Sequence, residues 1–222
     1  MENAKKIKAI LFDIDGTLVD SNDLHVAAWE QAFREAGHDV APDAIAGQIG
    51  KGADMLVPAL LPEADAETAE QLGERHGAIF KAHYLDQVKP FPHARDLVVR
   101  AHASGRKVVL ASSASREELD HYQDLLRIRP FVTAGTSIDD VQRSKPAPDI
   151  FAVALEKAGV AAEAALAVGD APYDVAAAGK AGVRAVAVRS GGFSDDALRD
   201  AVAIYDDAAA LLAGFDASPL AE

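Results

Sequence analysis

The stretch LFDIDGTLVDS, residues 11–21, ends an apolar run with two carboxylates one residue apart, Asp13 and Asp15, followed by Gly16, Thr17 and Asp20. A strand leaving a core delivers Asp13 at a fixed point on a sheet edge. Strand-like geometry repeats every two residues, so residue 15 projects to a similar side, and Gly16 permits a tight turn. One carboxylate can then attack phosphorus and bind metal while its neighbour moves protons, and carboxylate nucleophiles that form phospho-aspartate are a known catalytic class. Comparable residues follow later apolar runs: Ser112 and Ser113 after RKVVLA, Lys145 in SKPAPD, and Asp170 and Asp174 after ALAVG. Ligands of an open parallel sheet gather beyond the carboxyl ends of its strands, so these acids, hydroxyls and the lysine are expected at one edge. Such a set suits Mg²⁺, which takes a few carboxylates with phosphate oxygens, and a phosphoryl group, whose charge a lysine and hydroxyl donors stabilise.

The elements that must carry these residues can be read from pattern. Short runs at IKAILFD, RKVVLASS, PFVTAG, ALAVGD and VRAVAVRS are rich in Val, Ile, Leu and Ala without alternation, as strands buried on both faces are. Helical stretches separate most of them. Ser115 and Glu118 have capping-box spacing, KPAPDIFAVALEKAG has Pro in its first turn and Gly159 past its end, and DVAAAGKAG stops at Gly182. This alternation predicts an α/β fold with a Rossmann-like, doubly wound parallel sheet. One interval breaks the rhythm: from Ser21 to Lys89 the sequence reads as helix, with Pro62 and Pro90 as punctuation. The expected organisation is a catalytic core over 1–20 and 90–222 with an α-helical cap inserted over 21–89. The tail FDASPLAE is expected to be loose.

Composition narrows the partners. Among 222 residues, half are apolar, which is enough for a sizeable core. A net charge of −13 repels nucleic-acid phosphates and anionic membrane surfaces, and no basic run offsets it. The absence of cysteine excludes a thiolate nucleophile, a disulfide framework and a Cys-ligated zinc. The apolar stretch Ile7 to Phe12 is too short for a signal segment or a membrane span, so a soluble cytoplasmic protein is expected. The sequence leaves the oligomeric state open.

DIDGTLVDS, LASSAS, SKPAPDIF and VGDAPYDV resemble, in order, the four motifs of the haloacid dehalogenase-like hydrolase superfamily, spanning residues 13–174. The resemblance implies a Rossmann-like core with a helical cap, as in relatives of phosphoglycolate phosphatase and β-phosphoglucomutase. It implies that Asp13 is the nucleophile and a metal ligand, and that Asp15 is the general acid and base with its backbone carbonyl on Mg²⁺. Thr17 would position this loop and, with Ser112, Ser113 and Lys145, serve the phosphate site. Lys145 would also neutralise charge beside Asp13, and Asp170 would ligate the metal. Asp174 would support the metal site, or complement a helix dipole. His25, in HVAAW, resembles the HxxAW of β-phosphoglucomutase-like members, where the histidine works at the hinge. His76, His83, His93, His102 and His121 read as surface or packing residues, and Trp29 as core.

Haloacid dehalogenases themselves lack an acid at the position of Asp15, because their leaving group needs no proton; a phosphate ester does. Hydrolysis of a small phosphorylated metabolite is therefore expected. A sugar phosphomutase is the nearest alternative, though Gly169-Asp170 stands where mutases resemble Glu-Asp and GQIGKGADML offers no arginine for a second phosphate. A receiver-type signalling domain also combines Asp residues, Lys and Mg²⁺ but has no need of a cap. Lys51, between Gly50 and Gly52, could reach an anionic substrate from a cap loop or be an ordinary exposed lysine.

Overall fold

The computed structural model describes residues 6–222; residues 1–5, the start of the expected core segment, lie outside the described residues. Six strands form one parallel sheet in the order β5-β4-β1-β6-β7-β8. They are β1 (Ala9–Phe12), β4 (Lys107–Ala111), β5 (Ala134–Thr136), β6 (Ala165–Gly169), β7 (Arg184–Val188) and β8 (Ala203–Tyr205). The central strand β1 is wholly buried, as its unbroken AILF run requires. Phe12 registers with Leu110 of β4 on one side and Val168 of β6 on the other, so the stretches that carry Asp13, Ser112 and Asp170 leave the sheet side by side.

Helices cover both faces. One apolar layer gathers Ile10, Phe12, Leu97, Leu110, Tyr122 and Val168; the other gathers Leu11, Val109, Phe151, Ala154 and Ala167. Alternate residues of each strand thus feed opposite layers. The helices end where sequence chemistry says they should. Ser115 and Glu118 close a reciprocal capping box on α6 (Arg116–Leu126), and Gly159 takes a left-handed turn after α7 (Asp149–Ala158).

Between β2 (Val19–Asp20) and β3 (Lys89–Pro90) the chain forms α1 (Asn22–Glu35), α2 (Pro42–Ala46), α3 (Ala53–Leu60) and α4 (Ala66–His83). This insertion has its own apolar centre of Trp29, Phe33, Ile45, Leu56, Val57 and Leu72. Its two connections to the core pair with each other as a short antiparallel ribbon, Val19 opposite Pro90 and Asp20 opposite Lys89. The remaining core helices are α5 (Ala94–Ala103), α8 (Pro172–Lys180) and α9 (Ala208–Ala213). Among the described residues no helix is long and apolar enough to cross a membrane.

Three expectations need correction. PFVTAG is not strand throughout: Arg129–Phe131 is a 3-10 turn, because Pro130 cannot donate to a ladder, and only Ala134–Thr136 pairs. The sixth strand, β8, escapes a search for long apolar runs because it has three half-buried residues on the sheet edge. The tail is not loose. Phe215 and Leu220 are buried in the first apolar layer, and the Ile7 amide donates to the Glu222 carbonyl at 3.0 Å.

That packing predicts that Leu220→Ala destabilises the protein by about 2–4 kcal/mol, the usual cost of a cavity left by a fully buried leucine, in urea unfolding. A loss below about 0.5 kcal/mol, typical of surface changes, would mean the tail does not seal the core.

Candidate active site

Asp13 leaves β1 with its amide still donating to the Val168 carbonyl at 2.8 Å, so its backbone is fixed by the neighbouring strand. Its side chain is gripped from two directions. Lys145 Nζ donates to Oδ1 at 2.5 Å, and Thr17 Oγ1 donates to Oδ2 at 3.2 Å. Thr17 reaches this place because the chain turns tightly after β1: the Thr17 and Leu18 amides both donate to the Ile14 carbonyl, and Gly16 has φ +73°. An added Cβ at Gly16 would also collide with the Asp170 carboxylate, so only glycine fits.

Asp170 and Asp174 follow β6. Asp170 accepts from Thr17 Oγ1 at 3.0 Å and from Asn22 Nδ2 at 3.2 Å. Asp174 Oδ1 forms an ion pair with Lys145 Nζ at 2.6 Å, while its Oδ2 accepts from the Ala171 amide at 3.0 Å. It is at once a helix-capping acid and a partner of the buried lysine. Lys145, only 1% exposed, therefore bridges two carboxylates. Burial opposes its charge, but Asp13 and Asp174 outweigh that penalty and hold its pKa above the ordinary lysine value.

One ammonium does not balance the cluster. Oxygen atoms of Asp13, Asp170 and Asp174 lie within 4.8 Å of one another, all buried. Burial pushes the Asp13 carboxyl up to about 7 despite Lys145, with Asp174 and Asp15 adding repulsion. Burial, then the charges of Asp174 and Asp13, raise Asp170 well above the carboxylate range. Protons would settle there unless another cation took their place. An all-oxygen donor set with excess negative charge fits a hard divalent cation.

Asp15 has a different environment. Ser21 Oγ donates to its Oδ1 at 2.6 Å, and His25 Nε2 lies 3.2 Å from the same oxygen. Burial would raise its pKa, but the bond and charge of His25, with Ser21 adding, hold it below the ordinary aspartate value. The same contact raises His25 against the opposing effect of burial. His25 is stacked on Phe80 with centroids 3.8 Å apart, and its Nδ1 lies 3.3 Å from His76 Nε2. His76 in turn stacks on Trp29 at 4.2 Å, and burial followed by the His25 charge holds its pKa well below the ordinary histidine value. Protonated His25 can thus donate from both ring nitrogens, to Asp15 and to His76.

These residues meet a cleft of about 1050 Å³ between insertion and core. Asp13, Asp15 and Ser113 border it, as do His25, Trp29 and Lys51. Ser112 is fully buried one residue past β4, and its Oγ accepts from the Ala114 amide at 3.0 Å, which leaves its own O–H free to donate. Ser113 Oγ instead donates to the Gly50 carbonyl at 3.2 Å. Lys51 Nζ donates to Gln48 at 2.5 Å and sits 4.3 Å above the Tyr173 ring, so its ammonium is docked on the core.

Sequence reasoning missed Ser21, Asn22 and His76. Ser21 and Asn22 follow the first motif directly, and their position was the available signal. The sequence marks His76 only as a surface or packing residue. It does pack on Trp29, but its contact with His25 joins residues 51 apart in the chain, which no local pattern reveals.

The haloacid dehalogenase-like hydrolase family model matches residues 10–188. A phosphoglycolate phosphatase from Yersinia pseudotuberculosis is 30% identical over 196 residues, covering 86% of this chain and 84% of its own. Pyrophosphatase PpaX from Oceanobacillus iheyensis is 28% identical over 186 residues, 82% of this chain and 83% of its own. The crystal structure of a hydrolase from Pseudomonas syringae superimposes with a TM-score of 0.88 at 30% identity, over 95% of this chain and 98% of that one. A fold with a helical insertion, a buried acid cluster at the strand ends and these matches lead to one assignment: the chain belongs to the haloacid dehalogenase-like hydrolases, is related to phosphoglycolate phosphatase and PpaX, and is an enzyme of the phosphatase type.

Proposed function

We propose that the protein is a Mg²⁺-dependent phosphatase that hydrolyses phosphate monoesters of small metabolites through a phospho-aspartate at Asp13. The observation that carries this reading is the division of labour between two nearby carboxylates: Asp13 is bound to Lys145 and Thr17, and Asp15 to Ser21 and His25. Asp13 attacks phosphorus with an oxygen whose backbone is pinned to β6. Lys145 offsets the charge shared by Asp13 and the arriving phosphoryl group, and the free Ser112 O–H donates to a phosphoryl oxygen. Asp15 and His25 together store one proton along the Oδ1–Nε2 contact. Asp15 passes it to the leaving oxygen, and the pair recovers a proton when Asp15 draws one from the water that attacks phospho-Asp13. The carboxylates of Asp13 and Asp170, with the Asp15 carbonyl, would hold Mg²⁺, and Asp174 would support them while tied to Lys145. When bound, Mg²⁺ supplies positive charge against the phosphoryl oxygens and the acid cluster. Residues 21–89 act as the cap that excludes bulk water from this exchange.

The cleft wall favours hydrolysis over phosphomutase chemistry. Asp54, Asp65, Glu70 and Glu74 border it, and among the described residues no arginine does. Its lysines are engaged elsewhere, Lys51 at Gln48 and Tyr173 and Lys81 at Glu117. That lining suits a leaving group without a second phosphate.

Trapping tests the covalent step. Borohydride reduction of acid-quenched enzyme during turnover is expected to convert residue 13 to homoserine, detected by mass spectrometry, and Asp13→Asn is expected to lower kcat by about 10³-fold or more. A modified residue elsewhere, or an active Asp13→Asn enzyme, would overturn the assignment. EDTA should abolish turnover and added Mg²⁺ restore it; undiminished activity in EDTA would remove the metal from the reading.

The proton store gives a pH dependence of definite sign. With Asp15 held below and His25 above their ordinary values, the pair keeps its proton below the raised His25 pKa and loses it as pH rises through that pKa. kcat/KM is expected to fall about tenfold per pH unit on that alkaline side, and His25→Asn to remove this limb while lowering the plateau. An identical limb in His25→Asn would assign it to another group.

A further inference from the structure

One stretch of the insertion, residues 47–54, touches three separate segments of the core. Tyr173 Oη donates to the Gly47 carbonyl. Ser113 Oγ donates to the Gly50 carbonyl at 3.2 Å. Ser144 is held twice: its Oγ accepts from the Gly52 amide at 2.9 Å, and its own amide donates to Asp54 Oδ2 at 3.0 Å. The core partners share a feature. Ser113, Ser144 and Tyr173 each stand one residue from a group of the catalytic site, respectively Ser112, Lys145 and Asp174. The seam at Ser144 is close-packed, since a Cβ at Gly52 would lie 2.7 Å from the Ser144 Cβ.

We propose that Asp54 is a positioning residue of the phosphatase reaction, which fixes Lys145 through the backbone of Ser144 only while the cap is seated. The inference rests on the reading of Lys145 as the charge beside the nucleophile. Ser144 is buried, and an amide left there without an acceptor carries a desolvation cost that the loop relieves by moving. Lys145 is the next residue, and its ammonium must hold two carboxylates at 2.5 and 2.6 Å. Positional errors near 1 Å at a reacting group can cost about 10²-fold in rate. Asp54 is suited to act at this remove. It is exposed, sits in the first turn of α3, and makes no contact with Lys145 or Asp13, so its effect passes through the Ser144 backbone. Opening the cap separates Gly52 and Asp54 from Ser144 together, which releases Lys145 from its fixed place. Seating the cap and completing the phosphoryl site are then one event, and an open enzyme spends no turnover on bound ester exposed to bulk water.

The test uses Asp54→Ala and Asp54→Asn in the full chain, with p-nitrophenyl phosphate and Mg²⁺ as the activity probe and hydrogen exchange of the peptide around Ser144 as the structural probe. Asp54→Ala is expected to lower kcat by about tenfold or more with KM changed less than about threefold, the pattern of a group that acts on the transition state. Asp54→Asn keeps a carbonyl acceptor for the Ser144 amide and should recover kcat to within about threefold of the parent. Exchange at Ser144 should quicken in the alanine variant and return to the parent rate in the asparagine variant. Wild-type kcat in Asp54→Ala, unchanged exchange at Ser144, or equal losses in both variants, which would mark a charge effect in the cleft, would each overturn the proposal. Exchange is read without substrate, so its outcome stands apart from whether Asp13 is phosphorylated. Thermal melts of both variants check that the fold survives, and a Ser144→Ala enzyme, which loses the Gly52 contact but keeps its amide for Asp54, should lose less kcat than Asp54→Ala.

Discussion

The structure depends on a charge imbalance buried at the end of the sheet. Three carboxylates crowd one place, and Lys145 bridges two of them from a position almost closed to solvent. A buried ion is tolerated only where partners compensate its lost hydration. Lys145 meets that condition through Asp13 and Asp174, but the acids as a group do not, because one positive charge faces three potential negatives. The residual charge fits the site to hold a cation, and burial, reinforced by repulsion among the acids, raises the pKa values of Asp13 and Asp170. The same imbalance constrains the surrounding chain. Thr17 must bridge two acids, Gly16 must lack a side chain, and the Asp13 amide must stay in the ladder with β6.

From this follows the contrast between Asp13 and Asp15, which share a turn but not a function. Burial, with repulsion from the other carboxylates, pushes Asp13 up; at Asp15 burial acts the same way, but a histidine and a serine outweigh it and hold the group down. Two titratable groups driven in opposite directions by their surroundings can take separate parts in one reaction at one pH. His25 contributes to this contact from the first helix of the insertion, so the surroundings of Asp15 are shared between insertion and sheet. Phe80 and Trp29 hold the two imidazoles by stacking, which confines them to the orientation that meets Asp15.

Much of this was legible in the sequence because it depends on local order along the chain. A buried run followed by DxDGT fixes where Asp13 and Asp15 emerge, and the parallel sheet brings Ser112, Asp170 and Asp174 to the same edge through register alone. The insertion could be recognised because seventy residues of helical periodicity interrupt an alternating pattern. What escaped depends on contacts between distant segments. Nothing near His76 marks it as a partner of His25, and nothing in GQIGKGAD indicates that its carbonyls and amides meet Ser113, Ser144 and Tyr173. The tail was misjudged for a related reason: Phe215 and Leu220 lie in a short, irregular segment without periodicity, and their burial comes from the core face they happen to cover.

The lysine beside Asp13 and the loop of the insertion belong to the same physical problem. A buried ammonium between acids must be placed to within a fraction of an ångström, yet it is carried by a loop, Ser137 to Pro148, with only a short 3-10 turn of regular structure. Loops that carry function need an outside constraint, because their own backbone bonds are few. Core packing supplies part of it, through Phe151 beneath the ammonium at 5.6 Å. The rest comes from the insertion, whose Gly52 and Asp54 hold Ser144 by both its hydroxyl and its amide. A cap that only excluded water could be joined to the core by any adhesive surface. This one grips the residue before the lysine, so the placement of Lys145 is shared between two parts of the fold that the sequence must keep in register.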